Sequence, residues 1–169
     1  RQAQLLLDNP TAALAPNGTS LSELATPAVL PDFQRRAANL RLSTNSSLGG
    51  AIGGGANLTV DSNVAIVGDA GAAVSLLSTN SVIVDGVIDA PGGDISIQVG
   101  EQSGLFLPAR KIWLGPDARL SVDSVALVDT FNPLGLRLGQ VLPGGRISIR
   151  AEEGSLVGAD GALLSADGG

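Results

Sequence analysis

The 169-residue chain carries a net charge of −6 and contains no His, Cys or Met. This composition excludes disulfides, thiolate or imidazole metal ligands, and catalysis by Cys or His. The acidic balance without a basic stripe argues against nucleic-acid binding, and no apolar run approaches the roughly 20 residues of a membrane-spanning helix. Hydrophobic residues make up 44% of the chain and aromatic residues only 2%, beside 23 Gly and 9 Pro. Such a composition indicates a narrow aliphatic interior interrupted by many corners.

Residues 1–50 differ from the rest because prolines break them into short pieces. Residues 31–38 could form one or two helical turns, with Pro31 near the first helical position. Residues 39–44 alternate in polarity and predict a strand, whereas the Gly-rich residues 46–55 predict a flexible connection. We therefore expect residues 1–50 to form an irregular or edge segment that lies along a repeat domain of residues 51–169.

The stretch VIVDGVIDAPGGDISI (residues 82–97) sets the pattern of the repeat domain. Short β-branched runs favour extended backbone, and the Asp-Gly, Pro-Gly and Gly-Gly steps between them supply corners. Related phrases recur near residues 57–76, 112–123 and 155–169, at spacings typical of solenoids. The sequence thus predicts an all-β fold, a β-solenoid with extruded loops, and leaves an antiparallel sandwich with Gly-rich hairpins as the alternative.

Individual strands of the repeat domain follow from the alternation. We predict strands at residues 64–67, 73–77, 82–84, 95–99, 112–114, 120–122, 125–128 and 147–149. The phrase Gly-Gly-x-Ile-Ser-Ile occurs at residues 92–97 and again at 144–149. The pattern places Ile95 inward. Trp113 points outward if Ile112 and Leu114 face the core.

Two inserts, residues 100–111 and 130–143, interrupt the repeats and are interpreted as loops extruded from the solenoid. Surface loops of solenoids are where recognition is usually placed. The candidate recognition residues in and beside these inserts are Phe106, Arg110, Lys111, Trp113, Phe131 and Arg137. Trp113 is expected either to lie under the first insert or to form a stacking platform for a sugar ring.

Carboxylates could in principle support glycan chemistry, which needs two of them about 5–10 Å apart. The candidates are Asp85, Asp89, Asp94, Asp117 and Asp123, with Lys111 or Arg119. Almost every Asp, however, adjoins Gly, Ala, Ser or Pro at a corner, where its side chain caps local N–H groups. The calcium-binding nonapeptide of β-rolls is absent from the sequence. We expect no catalytic residue, no metal and no cofactor.

The phrases VDGVIDAPGGDISI, KIWLGPDARLSVD and VLPGGRISIRAEEGSLVGADGALLSADGG resemble the filamentous-haemagglutinin-like large exoproteins of Gram-negative bacteria. The resemblance is best from about residue 31 onward. It implies a right-handed parallel β-helix that is exported by two-partner secretion through an outer-membrane pore. Because the chain lacks an initiator Met and its last residues repeat a corner phrase, we expect it to be an internal segment of a longer shaft.

The function implied by this resemblance is that of a structural shaft in an extracellular or cell-surface adhesin. It would present binding regions to a host or neighbouring-cell receptor or glycan, in adhesion or biofilm formation, without enzymatic activity of its own. Two alternatives stay open: a carbohydrate-binding or carbohydrate-active β-helix module, and the stalk of a contact-dependent toxin-delivery protein.

Overall fold

The structure, a computed structural model, describes residues 3–7, 25–44, 56–100, 106–129, 134–136 and 138–168. Within these ranges the fold is all-β, with one 3-10 helix at Asp32–Gln34. The strands are β1 (Ala3–Leu7), β2 (Ala25–Val29), β3 (Leu40–Thr44), β4 (Leu58–Val60), β5 (Ala65–Val67), β6 (Ala73–Ser78), β7 (Ser81–Val84), β8 (Val87–Asp89), β9 (Asp94–Val99), β10 (Lys111–Leu114), β11 (Arg119–Ser121), β12 (Val125–Asp129), β13 (Leu138–Leu142), β14 (Arg146–Ala151), β15 (Ser155–Gly158) and β16 (Leu163–Ser165).

Three parallel four-stranded sheets contain most of these strands. Sheet I has the order β4-β7-β10-β15, sheet II the order β5-β8-β11-β16, and sheet III the order β3-β6-β9-β14. The chain visits the three sheets in rotation, so each passage forms one tier. Tier 1 is β4 to β6, tier 2 is β7 to β9, tier 3 is β10, β11 and β14, and tier 4 contains β15 and β16. Because β3 pairs with β6, sheet III already begins at residue 40.

The core lies between the three sheets and is a single aliphatic cluster. Matching residues of successive tiers stack in columns, because each strand pairs in register with its neighbour above and below. In sheet III, for example, Leu76, Ile97 and Ile149 are register partners. As predicted, Ile95 faces inward and is buried. A core of stacked aliphatic columns such as these needs no large aromatic side chains, which agrees with the composition.

Glycine is required where tiers stack backbone on backbone at the start of sheet III. A Cβ atom built on Gly93 would overlap the carbonyl of Ala72, and one built on Gly145 would overlap the carbonyl of Gly93. The amide groups that follow bond along the same stack, Asp94 N–H to Ala72 O at 3.1 Å and Arg146 N–H to Gly93 O at 3.1 Å. This stacking explains why the phrase Gly-Gly-x-Ile-Ser-Ile occurs twice.

One predicted strand pairs differently from the others. Residues 125–128 do form a strand, β12, but it pairs antiparallel with β13 and belongs to none of the three sheets. The second insert, interpreted from the sequence as a loop, therefore contains β13 and forms a hairpin with β12. The strands β12 and β13 pair with each other because tier 2, in which residues 90–93 join β8 directly to β9, has no matching insert.

The described parts of residues 1–50, residues 3–7 and 25–44, contain more regular structure than the sequence indicates. β1 and β2 form an antiparallel pair, and the helical turn predicted after Pro31 is the short 3-10 helix. Arg35, directly after this helix, forms an ion pair with Asp69 (Nε to Oδ1, 2.9 Å), a corner residue of tier 1. This contact joins the end of the 3-10 helix to the stack, in addition to the pairing of β3 with β6.

Candidate functional site

Trp113 lies on the outer face of sheet I. Ile112 and Leu114 are buried, and Trp113 alternates with them to the outside, as the sequence pattern predicts. Lys111 shares this face because it lies two residues earlier on the same strand. Its side chain is exposed.

The neighbours of Trp113 across sheet I are apolar. Its register partners are Ile83 on β7 and Val157 on β15. Thr59 on β4 continues the same column. The outer face therefore presents an aliphatic and aromatic column with a lysine beside it. An indole on such a face can stack against a sugar ring or pack against an apolar side chain.

Residues 106–110, the described part of the first insert before β10, lead into sheet I. Phe106 is 67% exposed. Arg110, by contrast, points into the stack, where it forms a buried ion pair with Glu153. The backbone reinforces this contact, since Leu107 N–H bonds to Glu153 O at 2.7 Å. Arg110 thus fastens the insert to the corner between tiers 3 and 4.

The candidate recognition residues are only partly brought together. Lys111 and Trp113 share one face of β10, whereas the guanidinium of Arg110 is occupied by Glu153. Phe131 and Arg137 lie outside the described residues. Glu153 is the residue that sequence reasoning missed, and only the register of tiers 3 and 4 brings it to Arg110.

The corner aspartates make hydrogen bonds between tiers. Asp85 Oδ1 accepts a bond from the backbone N–H of Asp117, one tier above, at 3.2 Å. Asp123 accepts bonds from Ser121 Oγ at 3.1 Å, from Ser165 Oγ at 2.5 Å and from Asp167 N–H at 2.8 Å. The bond from Ser165, followed by that from Asp167, lowers the pKa of Asp123 below its ordinary value of 3.8, although desolvation acts in the opposite direction. The sequence predicts that these aspartates cap local N–H groups, whereas the backbone N–H groups that bond to Asp85 and Asp123 belong to the following tier.

Metal ligation finds no support in the part of the chain that the structure describes, because no group of three or more Asp or Glu residues there could hold an ion. Asp89 is a register partner of Ser121 on β11, and Asp94 is a register partner of Arg146 on β14. Arg119 pairs in register with Val87 and Leu163. These residues are distributed over sheets II and III, whereas Asp85 and Asp117 lie at the corner between sheets I and II.

Two concave surfaces lie away from Trp113. One, of about 620 Å³, follows the hairpin between Ala126 and Val141. The other, of about 600 Å³, runs along sheet III beside Ser96 and Ser148, which are register partners. The repeated phrase Gly-Gly-x-Ile-Ser-Ile already contains both serines, so the sequence carries a signal for this second surface. It carries no comparable signal for the first.

The fold and these surfaces define the chain as an all-β protein of stacked parallel sheets, with an aromatic outer face on one sheet and an antiparallel hairpin beside the stack. Comparisons with protein-family models, with curated proteins and with solved structures found no match. Across the described ranges, no helix has the length and apolar character needed to cross a membrane.

Proposed function

We propose that the chain is a shaft segment of an extracellular, filamentous-haemagglutinin-like exoprotein, and that its tiers are coils of a right-handed parallel β-helix. The observation that carries the proposal is the continuous register of the three sheets. Leu58, Val82, Ile112 and Leu156 form one column through four tiers, and equivalent columns run through sheets II and III. A structure of this kind gains length by adding coils that are stabilised mainly by their nearest neighbours.

The tier-4 end of the stack supports this proposal. Leu156 and Leu164 are the register partners of the buried Ile112 and Leu120, yet they are 52% and 46% exposed. Within the described residues, β15 and β16 have a strand on one side only. This end therefore offers the same strand edges and aliphatic side chains that the inner tiers use to bind one another.

The mechanism of such a shaft is mechanical. Inter-tier hydrogen bonds and aliphatic columns hold a rod of constant cross-section, which presents recognition regions away from the cell surface. Export would use an outer-membrane pore, and the partner at the far end would be a host or neighbouring-cell receptor or glycan. The occupied corner aspartates Asp85 and Asp123 favour this structural role over an enzymatic one.

The shaft proposal is tested by the size and shape of the native polypeptide, purified from its source and studied by intact mass and negative-stain electron microscopy. We expect a polypeptide several times longer than this chain, seen as a thin rod. A compact particle of 16.8 kDa would overturn the proposal.

A second candidate function, carbohydrate binding, is favoured by the outward position of Trp113 beside Lys111. A Trp113→Ala variant should then lose binding to an acidic polysaccharide, while Val128→Ala, a change on the exposed hairpin, retains it. If the unaltered chain binds no glycan on an array that includes acidic sugars, the carbohydrate-binding function is excluded and the shaft proposal is unaffected.

A further inference from the structure

The hairpin strand β13 has an unpaired edge. Its partner on one side is β12, and on the other side no strand from the described ranges pairs with it. Its residues from Leu138 to Val141 are exposed on both faces, with Leu138 54% and Val141 66% accessible. The N–H of Leu138 bonds to Leu136 O at 3.1 Å. The outward N–H and C=O groups of the other β13 residues have no strand partner within the described ranges.

This edge lacks the features that normally prevent strand pairing. Edge strands are usually protected by charged residues, prolines or bulges, but β13 has the sequence LGQVL, with neither charge nor proline. A two-stranded hairpin is also only marginally stable by itself, and further strands with a hydrophobic face stabilise it. Both properties favour the addition of another strand to β13.

The sequence of β13 is complementary to itself in the antiparallel direction. When two copies are centred on Gln140, Leu138 lies opposite Leu142 of the second copy, and Gly139 lies opposite Val141 of the second copy. The two Gln140 residues face each other, and each primary amide offers both a donor and an acceptor to the other. Each pair is therefore compatible. Leu138 and Leu142 are both large and apolar, the small Gly139 lies opposite the branched Val141, and the Gln140 amides face each other. No like charges are brought together.

We propose that two copies of the chain associate through β13, antiparallel and centred on Gln140. The β12–β13 sheet then continues into the second copy as a four-stranded sheet of order β12-β13-β13-β12. The contact uses the same surface on both copies and closes as a two-fold dimer. Exposed aliphatic side chains of the hairpin, Val128 and Val141 among them, gain neighbours. This lateral pairing is independent of the shaft proposal.

Cysteine cross-linking tests the register, because the natural chain contains no Cys. In Gln140→Cys the two introduced residues would face each other directly, at a Cα separation of about 4.5–5.5 Å, which a disulfide can span. In the control Val141→Cys, each cysteine would face Gly139 of the second copy, and the two cysteines would lie about two residues apart along the strands. We expect Gln140→Cys to form a covalent dimer under mild oxidation at least about tenfold faster than Val141→Cys.

Analytical ultracentrifugation of the 169-residue chain tests the association itself. We expect a reversible monomer–dimer equilibrium. Gln140→Lys should raise the dissociation constant at least about tenfold, because two like charges then face each other. Ala126→Lys adds the same charge to β12, away from the edge, and should leave the equilibrium unchanged.

Three results would overturn the proposal. The first is a chain that stays monomeric at all concentrations. The second is equal cross-linking of the two cysteine variants. The third is a monomer in which the β13 amides are protected from hydrogen exchange, since a segment of the same chain would then cover this edge.

Discussion

The stacked tiers and the hairpin use the same kind of residues but bury them to different extents. Ile97 on β9 is fully buried, whereas Val128 on β12 is 47% exposed. β9 lies between β6 and β14 and faces sheets I and II across the core, while β12 has one paired neighbour among the described strands. Burial in this fold is therefore set by the neighbouring tiers, and alternation within a strand is not sufficient for it.

The hairpin leaves and rejoins tier 3 at almost the same point. Gly145 N–H bonds to Val122 O at 2.8 Å, which joins a tier-3 residue shortly before β12 to the residue directly before β14. Close to this junction, Leu142 packs over the corner of tier 2, and its Cβ would lie 2.8 Å from a Cβ built on Gly92. Tier 3 is thus closed at the base of the hairpin, so the stack and the hairpin can be perturbed separately.

The largest expected effect concerns the glycine stack at this junction. In Gly145→Ala the new Cβ would overlap the carbonyl of Gly93, so the backbones of tiers 2 and 3 must separate. We expect a loss of about 3 kcal/mol or more in the free energy of unfolding, measured by urea denaturation followed by circular dichroism. Gly158→Ala is the matched control, because nothing lies within 4 Å of its Cβ position. A Gly145→Ala variant within about 0.5 kcal/mol of the unaltered chain would contradict the stacking.

The next comparison truncates one aliphatic side chain in each of the two regions. Ile97→Ala leaves a cavity between Leu76 and Ile149, its register partners, and should cost about 2–5 kcal/mol. Val128→Ala in the hairpin should change the free energy of unfolding by no more than about 0.5 kcal/mol. The same urea titration measures both. Equal losses would mean that the hairpin contributes to the core as much as a tier does.

Local pattern was sufficient to predict most strands of the stack and the direction of several side chains. Ile95 faces inward and Trp113 outward because alternation requires only the geometry of a single strand. The positions of β9 and β14 could be predicted from the repeated Gly-Gly-x-Ile-Ser-Ile phrase, since the second glycine of each copy stacks on the backbone of the preceding tier. The pattern predicted that corner aspartates accept backbone bonds, but not that the donors to Asp85 and Asp123 lie one tier away, at Asp117 and Asp167.

Contacts that depend on the number of residues between tiers could not be predicted. The strand β12 alternates just as the tier strands do, and only its partner β13 separates it from the stack. The ion pair of Arg110 with Glu153 joins residues on different tiers, and the unequal inserts hide their register from the sequence. For the candidate site, the sequence therefore predicted Trp113 and its outward face but not the role of Arg110.

The smallest expected effect is a pH dependence at Asp123, where the chain leaves tier 3 for the hairpin. Its carboxylate accepts bonds from Ser165 and Asp167 of the following tier, and these bonds lower its pKa in the folded state. A lowered pKa stabilises the fold at pH values above the ordinary value of 3.8, and this stabilisation is lost as the pH falls through 3.8 towards the folded-state pKa.

Asp123→Asn should therefore be less stable than the unaltered chain at pH 7, and the difference should shrink as the pH falls below about 4. The measurement is the urea midpoint at a series of pH values from 7 to 3. Asp160→Asn, which removes a charge from an exposed corner of tier 4, controls for the loss of net charge. If the midpoints of Asp123→Asn and the unaltered chain ran parallel over the whole range, the bonds from Ser165 and Asp167 would not favour the charged form. The attachment of tier 4 at the base of the hairpin would then rest on backbone bonds, such as Ser124 N–H to Asp167 O at 2.9 Å, which do not change with protonation of the carboxylate.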